Sequence, residues 1–403
     1  MIKSKKVLVA CGDPSGDAYL AELVKELNKK VGSRVQFVGL CGPKSKAAGV
    51  QQLFDQKEVA VVGLVEVLSN IKQIALVLKK MSEQLKTADA LLCVDFPDFN
   101  FRLAARAKRL GKAVDYFIAP QSWAWRSGRA EQMKKWLRKL YVALPFEESY
   151  FKDRGLNASY NGHPLRDQLK PNRRAQMREN FALSEDDFAL ALLPGSRSGE
   201  LSRHLPLLLQ AWKNFEQNLK TYPHLRKKNY KVIMPLTSSW TAEILKNILD
   251  KKHAEVLDSY LQSKTWQITN DSHGVMMASD FAWIASGTAT LEAAYYQLPH
   301  ILFYKLNAFS AFLLKRLTGY FNLQKSYGAG LPNILLQERV IPELLQDSLT
   351  PERLAIESLE LLGNKERFDI MKKKLRFIPK KMGQANVCER IAEDYLKVLG
   401  IEN

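Results

Sequence analysis

Short apolar runs that stop at glycine, proline or an acidic residue recur along almost the whole chain, each followed by a longer amphipathic run. KVLVACG, VQFVGLCG, ADALLCVDFPDF, AVDYFIAP and LYVALP lie in the first half; FALALLPGS, YKVIMPL, TWQIT, DFAWIASG and PHILFYK lie in the second. An apolar run without alternation is a strand buried on both faces, and such a sheet needs helices on both sides. Between the first two runs, Leu20, Leu23, Val24 and Leu27 recur at helical spacing among Asp17, Glu22 and Lys25. The pattern predicts an α/β protein with mostly parallel, doubly wound sheets.

A polar, basic stretch, DQLKPNRRAQMREN from Asp167 to Asn180, interrupts the alternation. It sets a domain junction near residues 165–180. Domains are expected over 1–170 and 171–374, with a C-terminal helix in 375–403 completing the first. No repeat of fixed period relates the halves. In open sheets of this kind ligands sit beyond the carboxyl ends of the strands, so a cleft between two such ends is the expected site.

Lys plus Arg number 60 against 42 for Asp plus Glu, a formal charge of +18. That excess favours an anionic partner: nucleic acid, acidic lipid or a phosphorylated metabolite. Cys11, Cys41, Cys93 and Cys388 form no C-x-x-C pair and read as buried thiols. The histidines form no H-x-x-x-H or H-x-H cluster, so no metal is expected, and the lone His163 in YNGHPLRD reads as a structural residue ordering the crossover. The basic N-terminus precedes an apolar run too short for a signal peptide. No stretch reaches the roughly 18 apolar residues of a spanning helix, so a cytoplasmic chain touching a membrane from one side is expected.

The loop ACGDPSGDAYLAELV joins the first strand to the first helix. Gly12 and Gly16 permit a tight turn, and the N–H groups of a helix start can hold an anion or a substrate hydroxyl. The loop is neither G-x-G-x-x-G nor a Walker A motif, and Asp13 and Asp17 disfavour a nucleotide phosphate there. Asp13 and Ser15 are candidates for an acceptor site, with plain helix capping an equal alternative. ADALLCVDFPDF ends its apolar run at Asp95, where a carboxylate faces the ligand side of the sheet and can take a proton from a hydroxyl. Asp98 reads first as the cap of the following helix and second as a cleft residue.

PQSWAWRSGRAEQMKKW packs indoles and cations together. Gln121 and Ser122 offer polar groups, Trp123, Trp125 and Trp136 offer broad rings, and Arg126 and Arg129 begin a run of positive charge. Such a segment suits bases stacked over a phosphate backbone, or a lipid headgroup layer. Trp136 also fits a buried helical face with Leu137 and Leu140. The stretch Val59 to Met81 tilts this choice: Val61, Leu64, Val67 and Leu68 lie on an apolar run beside Lys72, Lys79 and Lys80, as in an interfacial helix, although a buried helix accounts for much of it. None of the common nucleic-acid modules is visible, so no nucleic-acid partner is expected.

In the second half, LLPGSRSGELSRHLP sets Gly195, Ser196 and Arg197 after a strand, with a helix beginning near Glu200. Gly195 can bring backbone N–H groups to a phosphate, Ser196 can donate a hydroxyl, and Arg197 can bind bidentately. ASGTATLE repeats the logic with Ser286, Gly287 and Thr288 before a helix carrying Glu292, which could accept from ribose hydroxyls. Two anion-shaped loops in one domain point to a nucleotide diphosphate.

Taken in order, SGD (15–17), FVGLCGPK (37–44), VVGLVEVL (61–68), DFPDFN (95–100), APQSWAWR (119–126), LPFE (144–147), GHPL (162–165), LLPGSR (192–197), ASGTATLE (285–292) and LPNIL (331–335) resemble the lipid-A-disaccharide synthase family over essentially the whole chain. The resemblance implies two Rossmann-like domains in a GT-B arrangement. It implies an inverting glycosyltransferase that condenses UDP-2,3-diacylglucosamine with 2,3-diacylglucosamine 1-phosphate into a β-1,6-linked disaccharide 1-phosphate and UDP. The proposed base of that family matches Asp95, its functional arginine Arg197, and an asparagine important for activity Asn333. No cofactor is implied, since UDP is part of a substrate and a product. Asp13 stands where family members commonly have Glu, which keeps the charge and shortens its reach by one methylene. On this reading the Trp/Arg stretch, with Trp125 and Arg129, lines an acceptor-side rim facing the anionic cytoplasmic surface of the bacterial inner membrane. Another UDP-sugar glycosyltransferase or epimerase is the nearest alternative, and a nonenzymatic nucleic-acid-binding protein the more distant one.

Overall fold

A computed structural model describes residues 4–59, 64–120, 122–123, 128–237, 240–306 and 327–401, apart from the side chains of Ser33 and residues 64–71. The chain forms two compact units, residues 4–168 with 382–401 and residues 169–306 with 327–381.

The first unit holds β1 (Lys5–Cys11), β2 (Val35–Cys41), β3 (Gln51–Asp55), β4 (Ala90–Val94), β5 (Ala113–Phe117), β6 (Lys139–Val142) and β7 (Ala158–Tyr160). They form one parallel sheet in the order β3-β2-β1-β4-β5-β6-β7. Val7 to Cys11 and Leu91 to Val94 are wholly inaccessible, as strands covered by helices on both faces must be. Helix Pro14–Val31 buries Leu20, Leu23, Val24 and Leu27, the residues whose spacing announced it. Helix Val387–Val398 packs on the same unit, its first two N–H groups, on Val387 and Cys388, held by the Asp167 carboxylate at 3.0 and 2.7 Å. His163 is structural: its Nδ1 accepts from the Leu165 N–H and its own N–H reaches the Met382 carbonyl at 2.8 Å. Burial lowers its pKa to about 4, so the ring is neutral.

The second unit holds β8 (Asp187–Leu193), β9 (Asn229–Pro235), β10 (Trp266–Thr269), β11 (Phe281–Ala285), β12 (His300–Tyr304) and β13 (Glu343–Leu345). Its sheet is also parallel, in the order β10-β9-β8-β11-β12-β13. Trp212, Phe215 and Trp283 pack ring on ring beneath it, and each such ring buries about 150–250 Å² on folding. The four cysteines are buried and free.

In both sheets the strand order reverses once, between β1 and β4 and between β8 and β11. Loops leaving the two strands at a reversal run to opposite sides and open a crevice, which makes these the natural ligand sites.

Candidate functional site

Cys11 is level with Val94 across β1 and β4, so the loops that leave these strands emerge side by side. One carries Gly12, Asp13 and Ser15, the other Asp95 and Phe96. Asp13 is the cap of helix Pro14–Val31: its Oδ1 accepts from the Ser15 and Gly16 N–H groups at 3.0 Å each and from the Ser15 hydroxyl at 2.6 Å. Capping therefore occupies one oxygen of Asp13. Asp17 is buried and accepts from the N–H groups of Gly42, Lys44 and Ser45, tying GDPSGD to the GPK loop.

Asp95 is the first residue past β4. Burial pushes its carboxyl up to about 7, the Asp13 and Glu147 charges push the same way, and a bond from the Phe96 N–H opposes them. A carboxylate with a pKa near neutrality is suited to taking a proton at physiological pH. Glu147, from LPFE, is the neighbour that sequence reasoning left without a role. It is buried, accepts from the N–H groups of Ala143 and Leu144 at 3.1 and 2.9 Å, and receives the Trp123 indole N–H at 2.8 Å. Burial raises its pKa to about 7 in spite of those three donors. The signal was available: a Glu three residues after Leu144 at a helix start is the acidic half of a capping box.

Two expectations need correction here. Asp98 does not cap the helix. Pro97 starts the helix and Phe96 holds the cap position with no side-chain bond, so Asp98 already lies in the first turn and its carboxylate instead pairs with Arg129. Arg129, expected at a membrane face, is buried, with its guanidinium 5.3 Å from the Phe101 ring centre. Trp136 meets the same ring edge-on at 5.6 Å and, half-buried, packs against the core. Trp123 is held between the Glu147 carboxylate and the Phe146 ring, 4.9 Å away. Ser122 is buried, and its hydroxyl finds no partner among the described residues. Gln121, Trp125, Arg126 and Val61 lie outside the described residues, as do the side chains of Leu64, Val67 and Leu68 on helix Leu64–Gln84. Farther along that helix Val77 and Leu78 are buried while Leu76, Lys72, Lys79 and Lys80 are exposed, so its described apolar residues serve mainly the core.

In the second unit Leu193 is level with Ile284, and this register sets the Gly195–Arg197 and Ser286–Thr288 loops beside each other. Helix Ser198–Asn218 begins two residues before Glu200. The buried Glu200 carboxylate accepts from the Ser196 and Arg197 N–H groups at 3.0 and 3.3 Å, and lies 3.4 Å from the Arg197 guanidinium and 3.2 Å from the Tyr304 hydroxyl. Those N–H groups, expected to be available to a phosphate, are thus already used. Gly195 has φ 115°, and a Cβ on it would lie 2.5 Å from Glu200 Oε2, so its role is to admit this carboxylate. Arg197 remains about half exposed. The other loop is open: no described partner takes the Thr288 and Ala289 N–H groups that start helix Thr288–Tyr295. Glu292 is in that helix, 3.3 Å from His273 Nε2.

Asn333 has no spare hydrogen-bonding capacity. Its amide donates to the Ile341 carbonyl and Glu343 at 2.8 and 2.9 Å and accepts from the Val340 and Ile341 N–H groups at 2.9 Å each. Glu343 in turn accepts from the Ala329 and Gly330 N–H groups at 2.8 Å. Asn333 therefore positions the chain around 329–343 and does not present a free group to a ligand. Among the described residues no group of three or more His, Cys, Asp or Glu side chains could hold a metal ion, and no helix is long and apolar enough to cross a membrane.

A family profile described as lipid-A-disaccharide synthetase matches residues 7–394. The lipid-A-disaccharide synthase of Nitrosococcus oceani is 39% identical, with 98% of this chain and 97% of that protein covered. That of Myxococcus xanthus is 34% identical, with 99% of each covered. Among solved structures, the chain is similar to the UDP-N-acetylglucosamine 2-epimerase of Neisseria meningitidis bound to UDP-GlcNAc, with TM-score 0.60, 12% identity, and 97% and 100% of the two chains covered. It is also similar to the calicheamicin glycosyltransferase, with TM-score 0.59, 14% identity, and 99% of each covered. At such identities the likeness is one of fold, two Rossmann-like domains of the GT-B class.

Proposed function

The chain belongs to the lipid-A-disaccharide synthase family of glycosyltransferases, and from that premise we propose that it joins two acylated glucosamine units with UDP as the leaving group. The donor is UDP-2,3-diacylglucosamine and the acceptor 2,3-diacylglucosamine 1-phosphate. The observation that carries the chemistry is Asp95, a strand-end carboxylate raised towards neutrality at the reversal point of the first sheet.

Asp95 takes the proton of the acceptor O6 as that oxygen attacks the donor's anomeric carbon from the face opposite UDP. The O6–C1 bond forms while the bond from C1 to the β-phosphate oxygen breaks, and its electron pair leaves with UDP. The configuration inverts without a covalent enzyme intermediate. Negative charge grows on the departing diphosphate, where the exposed Arg197 guanidinium and the open N–H groups at Thr288 and Ala289 stabilise it. Glu292 accepts from the ribose hydroxyls. Asn333 acts by holding the chain near Gly330, and Asp13 by keeping a negative charge beside Asp95.

The fold is also that of UDP-N-acetylglucosamine 2-epimerases, which supports a second reading, a UDP-sugar enzyme without a lipid acceptor. UDP release separates the two: it should depend on the acylated acceptor, and release from UDP-N-acetylglucosamine alone would favour the second. Peripheral attachment to an anionic membrane surface belongs to the same proposal, because both substrates carry acyl chains and the chain has a net charge of +18. Cosedimentation with anionic liposomes tests it, with a Leu64→Glu, Val67→Glu variant expected to bind less than the native chain.

A further inference from the structure

At the turn after β4 the backbone does something costly. Asp95 and Phe96 have φ of 45° and 47°, two consecutive non-glycine residues in the left-handed region. Each such residue costs about 1 kcal/mol or more and persists only where its surroundings impose it. Glycine would remove the cost, but glycine carries no carboxylate.

Two buried side chains impose the conformation. The Asn100 amide donates to the Asp95 carbonyl at 2.7 Å, and the Tyr116 hydroxyl donates to the same oxygen at 2.5 Å. Neither Asn100 nor Tyr116 has any accessible surface. Asn100 also donates to the Ala10 carbonyl on β1 at 3.1 Å, which ties the turn to the neighbouring strand. The Asp95 N–H is fixed from the other side by the Phe117 carbonyl at 3.1 Å. Both peptide units of Asp95 are thus held, one by Phe117 of β5 and the other by Tyr116 of β5 together with Asn100, which is itself bonded to β1.

We infer that Asn100 and Tyr116 are positioning residues for the Asp95 carboxylate: their amide and phenol converge on the Asp95 carbonyl, keep residues 95–96 left-handed, and so set the direction in which the carboxylate leaves the strand end. The inference rests on Asp95 being the base. The two residues touch no substrate and act only through Asp95.

The test is a double-mutant cycle on the full chain with the acylated substrates. Tyr116→Phe removes only the hydroxyl, and should lower kcat by about 10-fold, the kind of loss a misplacement of under 1 Å produces. KM and UDP affinity should stay within about 2-fold. Asn100→Ser should lose more. In an Asp95→Asn background, Tyr116→Phe should have almost no further effect. Equal losses in both backgrounds, or no loss in either, would overturn the inference while leaving the base assignment intact. Near-native turnover of Asp95→Asn, read from that variant alone, contradicts the base assignment. Should Asp95→Asn leave too little turnover to measure, crystal structures of Tyr116→Phe and Asn100→Ser decide: the inference requires residues 95–96 to leave the left-handed region in at least one, and unchanged backbone in both overturns it.

Discussion

Gly12 and Phe96 are interlocked: a Cβ placed on Gly12 would lie 2.3 Å from Cδ1 of the Phe96 ring. The ring fills the space a side chain would take and stacks on Phe99 at 5.6 Å. The two loops at the reversal point of the first sheet are thereby fitted to each other, with Asp13 one residue from Gly12 and Asp95 one residue from Phe96.

Gly12→Ala should displace the ring and the turn behind it. A loss of about 1–3 kcal/mol in stability is expected for such overpacking, with turnover falling further than the melting shift explains because Asp95 moves with Phe96. Gly128→Ala is the control, since a Cβ there meets nothing within 4 Å among the described residues. Thermal melts and steady-state turnover of both variants check this.

Asp95→Asn should abolish most turnover and yet stabilise the protein at neutral and higher pH. The folded pKa of Asp95 is raised to about 7 from an ordinary value near 4, so the folded state binds the proton more tightly than the unfolded chain. Native stability from this group is full below about pH 4 and lost as pH rises through about 7. The Asn variant should match the native chain at pH 4 and exceed it at pH 8 by on the order of 2 kcal/mol, after allowance for the partial exposure of Asp95. Melts across this range measure it. The turnover of the native chain should rise with pH over the same interval, as the base ionises.

Arg197→Ala should weaken UDP binding by about 10- to 100-fold, the loss of a charge-assisted phosphate contact. Glu200 would keep the loop in place through the Ser196 and Arg197 N–H groups, so the fold should be unaffected. Titration with UDP checks this. Unchanged affinity with reduced turnover would move the contact to the transition state.

Asn333→Ala should cost about 2–4 kcal/mol, because it leaves buried partners unsatisfied in a fully used network. Its effect on turnover should follow the loss of order around Gly330. Asn333→Asp replaces a donor facing Glu343 with a second carboxylate and should be at least as damaging. Melts and proteolysis of the two variants, compared with turnover, separate positioning from direct contact.

Much of this was legible in the sequence. Each of the ten short apolar runs that mark the alternation contains a strand, because burial on both faces demands continuous apolar residues, and the loops after β1, β4, β8 and β11 were all singled out. The short strands Gln51–Asp55, Ala158–Tyr160 and Glu343–Leu345 were not, since edge strands covered on one side need no such run. Which loops become neighbours depends on strand order, which local composition does not record. The roles of Asn100, Tyr116, Glu147, Glu200 and Glu343 were hidden for a related reason. Asn100, Tyr116 and Glu343 act on backbone groups that come close only once the sheet has formed, whereas Glu147 and Glu200 bond N–H groups three and four residues before them, and their sequence signal does not tell a buried carboxylate from a solvated one. Asp98 and Arg129 were misjudged because their pairing spans two helices.

The product of the reaction decides between a synthase and another UDP-sugar enzyme. The purified chain, given both acylated glucosamine substrates, should yield a tetraacyl disaccharide 1-phosphate and an equal amount of UDP, identified by mass spectrometry, with NMR of the anomeric centre showing the β-1,6 linkage. Absence of any disaccharide under conditions where the same preparation turns over UDP-N-acetylglucosamine would contradict disaccharide synthesis by this chain.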